Sequence, residues 1–104
     1  SVSRSKMREL TRGKLRVDAA IDLHGLRADR ARRELESFLT ECLSRKLECV
    51  RIVHGKGYGS GDRGPVLKTL TREYLSNVDT VLAFSSALDK DGGTGAVYVL
   101  LDVN

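Results

Sequence analysis

Long apolar runs are missing from this sequence: the longest, Ala96 to Leu101, has six residues, against the roughly 20 that a bilayer-spanning helix requires. No membrane partner is therefore expected. Residues 1–16 lack the apolar stretch of a secretory leader, which points to a cytoplasmic location. Cysteine is scarce as well. Cys42 and Cys49 are too few for a disulfide framework, and each lies in an apolar-patterned segment where a reduced core thiol is expected. Internal repeats and low-complexity segments are absent, which removes solenoids and fibrous architectures.

What remains is the composition of one ordinary globular domain. The chain has 104 residues, 40% apolar and 31% charged, enough for one hydrophobic core and no second catalytic domain. The charge is unevenly placed. Arg4, Lys6, Arg8, Arg12, Lys14 and Arg16 stand against Glu9 alone, so residues 1–17 hold more than the whole net charge of +4. Residues 1–16 read as a basic N-terminal arm or extension, and 17–104 as the domain proper. Such an arm attracts phosphates without reading sequence, although a solvated basic helix has the same composition.

Apolar periodicity predicts the order strand, helix, strand, helix, strand, strand. Val17–Leu23 alternates, with Ile21 and Leu23 on one face and Asp22 and His24 on the other. Ala31, Leu35, Phe38, Leu39, Cys42, Leu43 and Leu47 form a helical stripe with Asp29 as its expected N-cap. Glu48–Val53 is a second strand. Pro65 is expected at the first position of a helix carrying Val66, Leu67, Leu70, Tyr74 and Leu75. Val78–Ala87 and Ala96–Val103 are the last two strands. Strands joined through a single helix run parallel, so the loops after Leu23, Val53 and Ala87 gather at one edge. Eight of the ten glycines fall in the last two of those loops. Both histidines, His24 and His54, are there too, and this edge is where ligands bind in such sheets.

Three short motifs sit at that edge: Ile21-Asp22-Leu23-His24-Gly25, His54-Gly55-Lys56-Gly57, and Gly92-Gly93-Thr94-Gly95-Ala96. Together, in this order and across residues 18–103, they resemble the Smr (small MutS-related) family. The resemblance implies an α/β fold, a two-layer βαβαββ sandwich with a mixed four-stranded sheet, similar to the C-terminal domain of the third bacterial translation initiation factor. It also implies endonuclease activity on DNA or RNA. Stand-alone bacterial members are linked to cleavage of messenger RNA at stalled ribosomes, and members fused to mismatch-repair-like proteins to DNA nicking. Arg27-Ala28-Asp29-Arg30-Ala31 departs from the threonine and glutamate that many relatives carry at the helix start.

From the residues themselves, Asp22 can orient the imidazole of His24 as a general base. The same two residues could belong to a metal site, but no further acidic ligand is evident nearby. No cofactor is expected, and a divalent metal is left open. His54 is assigned beside them as catalytic, the alternative being that its ring braces the loop. Lys56, flanked by Gly55 and Gly57, suits a phosphate, as do the backbones of Gly25, Gly92, Gly93 and Gly95; a solvated loop lysine is the competing reading. Tyr58 either stacks on a base or folds over the sheet. RNA is preferred over DNA, since two acid-base groups suffice for attack by a neighbouring 2′-hydroxyl. The expected partners are RNA, or DNA, and the ribosome; a non-catalytic nucleic-acid or ribosome-binding module is the rival. Gly59-Ser60-Gly61-Asp62-Arg63-Gly64 matches a dinucleotide pattern, but it starts six residues after Val53 in a chain too short for both mononucleotide-binding halves.

Overall fold

The computed structural model describes residues 2–56 and 63–104. Gly57 and Tyr58, and most of the dinucleotide-like pattern, lie outside the described residues. The helices are α1 (Arg4–Thr11), α2 (Ala28–Ser44) and α3 (Arg63–Ser76); the strands are β1 (Ala19–Asp22), β2 (Cys49–Val53), β3 (Val81–Ser86) and β4 (Ala96–Leu101). Two 3₁₀ turns, Asp89–Asp91 and Gly93–Gly95, fill the loop between β3 and β4. No helix among the described residues is long and apolar enough to cross a membrane.

The sheet order is β1-β2-β4-β3. β1 and β2 are parallel, in register from Ala19 opposite Val50 to Asp22 opposite Val53. β4 runs antiparallel to both its neighbours, β2 and β3. The ends of β1, β2 and β3 and the start of β4 therefore share one edge, as the crossover argument requires.

β4 is buried along its whole length, because helices cover both of its faces. Val97, Val99 and Leu101 join Val50 and Ile52 against Leu35, Leu39 and Cys42 of α2 and Leu67, Leu70 and Leu75 of α3. Ala96, Tyr98 and Leu100 face the other way and meet Leu10 of α1, with Met7, Leu15, Val17 and Leu88 around them. A strand buried on both faces reads as a continuous apolar run rather than an alternating one. Cys42 and Cys49 are free, buried thiols in these two opposite clusters. Burial pushes the Cys49 thiol up to about 11.

Three local readings are corrected. The segment set apart as a basic arm is helical over Arg4–Thr11, capped by the Ser3 side chain and docked on the sheet; its apolar signal is only Met7 and Leu10, three apart, which the surrounding charge obscures. The N-cap of α2 is Arg27 rather than Asp29, which sits in the first turn and pairs with Arg33 at 3.7 Å. α3 begins at Arg63, so Pro65 is its third residue, not its first. That position is permitted because the first-turn N–H groups of a helix have no intrahelical acceptor.

Leu10 is 1% exposed, so Leu10→Ala should destabilise the domain by about 2 to 4 kcal/mol in chemical denaturation. A loss below about 0.5 kcal/mol, the range of ordinary surface substitutions, would show that α1 is not part of the folded core.

Candidate active site

β1 ends at Asp22, and Leu23 carries the chain on to His24 in the turn that follows. Leu23 turns into the core, and its N–H donates to the Val53 carbonyl at 2.7 Å. Asp22 and His24 turn outward, with side chains 53% and 70% exposed. The chain then reverses at Gly25, whose φ of +80° is the left-handed conformation that favours glycine.

Asp22 Oδ1 accepts the His24 backbone N–H at 3.0 Å and contacts His24 Nδ1 at 2.6 Å. Burial raises the Asp22 carboxyl, but the hydrogen bonds from the His24 backbone and ring outweigh it, and the carboxyl falls below its ordinary value of 3.8. An ionised carboxylate can only accept, so Nδ1 donates to it, and the tautomer this contact selects for a neutral ring leaves the lone pair on Nε2. The pair is thus a solvent-facing imidazole held in one tautomer by a carboxylate, the arrangement of an oriented general base.

His54 does not join it. The residue is 1% exposed, and its Nδ1 lies 2.8 Å from the Gly55 carbonyl. That carbonyl can only accept, so Nδ1 is again the protonated nitrogen. His54 Nε2 is buried and has no hydrogen-bond partner among the described residues. Burial lowers its pKa below 6.5, the Gly55 bond opposes this, and Lys68 and Arg72 lower it further. The structure therefore sets His54 in the interior, bonded to the loop it begins, rather than beside the exposed pair, an arrangement that fits the bracing alternative. The signal was in the sequence: His54 has the parity of Val50 and Ile52, which point into the core.

The glycines also do something other than expected. The carbonyl of Gly95 accepts both the His54 N–H, at 2.9 Å, and the Gly55 N–H, at 3.0 Å. Gly92, Gly93 and Gly95 spend their own N–H groups on Asp89, Leu88 and Gly92 carbonyls. The amides of Gly55, Gly92, Gly93 and Gly95 are thus committed inside the loops rather than offered to a phosphate. What these residues provide is close approach. A Cβ on Gly55 (φ +90°) would lie 3.2 Å from His24 Cβ, and one on Gly95 would lie 2.9 Å from Lys56 Cγ and 3.1 Å from the Gly55 carbonyl carbon. The second motif thereby packs on the first, and the third on the second. Lys56 is exposed, lies across Gly93 and Gly95, and makes no ion pair among the described residues.

Sequence reasoning missed a brace beneath this corner. Tyr98 Oη donates to the Asp91 carboxylate and accepts the Leu88 N–H at 3.2 Å. Arg51, directly opposite Tyr98 in the sheet, donates to the Asp91 carbonyl at 2.8 Å. The end of α1 reaches the same place, since a Cβ on Gly13 would lie 2.7 Å from Leu88 Cδ1 and 3.0 Å from Tyr98 Oη. Exposed Arg12 and Lys14 flank that glycine. Among the described residues no group of three or more His, Cys, Asp or Glu forms a metal-binding cluster.

A buried histidine whose folded pKa is lowered has a defined pH signature. Below 6.5 the unfolded chain takes up a proton that the folded one refuses, so stability present above 6.5 is lost as pH falls through the interval beneath it. The melting temperature should therefore drop between pH 7 and 5, and His54→Gln should flatten that slope. A wild-type profile already flat over this interval would contradict the burial of a neutral ring.

The Smr domain family model matches residues 21–102. The chain is 34% identical over 102 residues to the ribosome rescue factor SmrB of Aliivibrio fischeri (strain MJ11), covering 98% of this chain and 54% of that protein. It is 33% identical, with the same coverage, to the ribosome rescue factor SmrB of Vibrio vulnificus (strain CMCP6). The chain thus spans about half the length of the curated relatives it matches. Among solved structures, YdaL, a stand-alone small MutS-related protein from Escherichia coli, superposes with a TM-score of 0.85 at 29% identity, covering 97% of this chain and 77% of that one. The Smr domain of Thermus thermophilus MutS2 gives 0.69 at 32% identity, covering 80% and 96%. The motifs, the sheet order and these similarities agree, and the chain belongs to the Smr domain family.

Proposed function

We propose that this domain is an endonuclease that cleaves phosphodiester bonds in RNA, acting at the ribosome. The observation that carries the reading is the 2.6 Å contact between Asp22 and an outward-facing His24. His24 Nε2 takes the proton of a 2′-hydroxyl, the freed oxygen attacks the adjacent phosphorus, the bond to the 5′ oxygen breaks, and that oxygen takes a proton from solvent. Asp22 stabilises the imidazolium as it forms. Lys56 holds a neighbouring phosphate as a point charge, and Arg12 and Lys14 extend the positive edge along the α1 side. His54 keeps the loop in place from within. The SmrB relatives, named as ribosome rescue factors, support a ribosome setting.

His24→Ala should reduce cleavage of a labelled single-stranded RNA by about 10²- to 10⁴-fold, the usual contribution of a general base, while leaving binding of the uncleaved strand intact. Asp22→Asn should slow the reaction without weakening binding. A single 2′-deoxy substitution at the cut site should block cleavage. Equal cleavage by wild type and His24→Ala would identify a non-catalytic binding module, and undiminished cutting of the deoxy strand would turn the reading to DNA nicking.

A further inference from the structure

Arg51 lies on β2 opposite Ala20 of β1, so its side chain leaves the sheet on the face that carries Asp22, two residues along. α1 covers this face over β4 and β3, and Ala20 and Asp22 on β1 stay exposed. A guanidinium has five N–H donors. One of those on Arg51 is fixed by the Asp91 carbonyl at 2.8 Å. The others meet no acceptor, and the residue makes no ion pair, among the described residues. Arg51 is only half-buried. A half-buried guanidinium held at one nitrogen, near enough to the Asp22 and Asp91 carboxylates to act on both but bonded to neither carboxylate among the described residues, keeps donors free for a second oxygen ligand.

We propose that Arg51 is an additional substrate-binding residue of this site, its guanidinium receiving the non-bridging oxygens of the phosphodiester held against the Asp22–His24 pair. The inference rests on the reading of that pair as acid-base machinery for phosphodiester cleavage. Negative charge on those oxygens grows as the 2′ oxygen adds to phosphorus, so a fixed cation there contributes more in the transition state than in the bound substrate. The anchoring bond to Asp91 orients the fork in advance. Arg51 also acts on Asp22 directly, as one of the groups that hold its carboxyl ionised. Tyr98, the neighbour that reaches the same Asp91, supplies the control: it shares the brace but has no cation to offer.

Two measurements test this. The first follows the Arg51 Nε–H resonance, assigned by its loss in Arg51→Met, during titration with inorganic phosphate; it should shift in the wild-type protein. The second compares cleavage rates. Arg51→Met should lower kcat by about 10²-fold with KM little changed, Arg51→Lys should recover part of the loss, and Tyr98→Phe should stay within about threefold of wild type. If the wild-type protein cleaves no RNA but the Arg51 resonance still shifts with phosphate, the anion site stands and the nuclease reading falls. An Arg51 resonance unmoved by phosphate, or a Tyr98→Phe variant as slow as Arg51→Met, would overturn the proposal, the latter by showing that Arg51 only braces the turn.

Discussion

One carbonyl oxygen organises this molecule's functional edge. Gly95 O, at the entrance to β4, accepts the N–H groups of both His54 and Gly55, and so ties the loop leaving β2 to the loop entering β4. Gly55 is thereby pressed against His24, close enough that a Cβ would lie 3.2 Å from the His24 Cβ. The position of an exposed imidazole just past β1 thus depends on a turn about 70 residues further along the chain. Beneath it, Tyr98 and Arg51 both bond Asp91, in the short turn that precedes the glycines. The candidate site is exposed at Asp22 and His24, while the groups that hold it are buried or internally bonded. That division is what precise positioning of reactive groups requires.

The two faces of the sheet carry different work. Toward α2 and α3 lies the larger apolar cluster, and the buried His54 has the parity of its Val50 and Ile52. Toward α1 lies the smaller cluster, which leaves Ala20 and Asp22 uncovered at the β1 edge. Docking α1 by Met7 and Leu10 turns a run of basic residues into a fixed surface, since Gly13, just past its end, abuts Leu88 and Tyr98 near the same edge. A helix fixed in this way loses less freedom on meeting an extended anion than a loose arm would.

The fold was legible because its signals are local and periodic. The stripe of α2, the apolar runs of β2 and β4 and the glycine punctuation gave the element order and, through the crossover rule, the shared edge. Asp22 and His24 were legible too, being two apart where the first strand runs out. Other features needed the third dimension. Glycines that look like a phosphate cradle spend their amides on one another, which no spacing reveals. Arg51 looked like an ordinary polar residue in a strand, because its significance comes from Ala20, Tyr98 and Asp91, which are distant in sequence and adjacent in the sheet. α1 was obscured by its own charge. His54 was recoverable in principle, since its parity with Val50 and Ile52 already pointed inward.

The account's central claim is that Asp22 and His24 drive attack by the neighbouring 2′-hydroxyl, and the product ends report on that step alone. End-group analysis of an RNA cut by this domain should find a 2′,3′-cyclic phosphate on one fragment and a 5′-hydroxyl on the other, with the rate little affected by EDTA. Fragments bearing 5′-phosphates, formed only when a divalent metal is supplied, would contradict it.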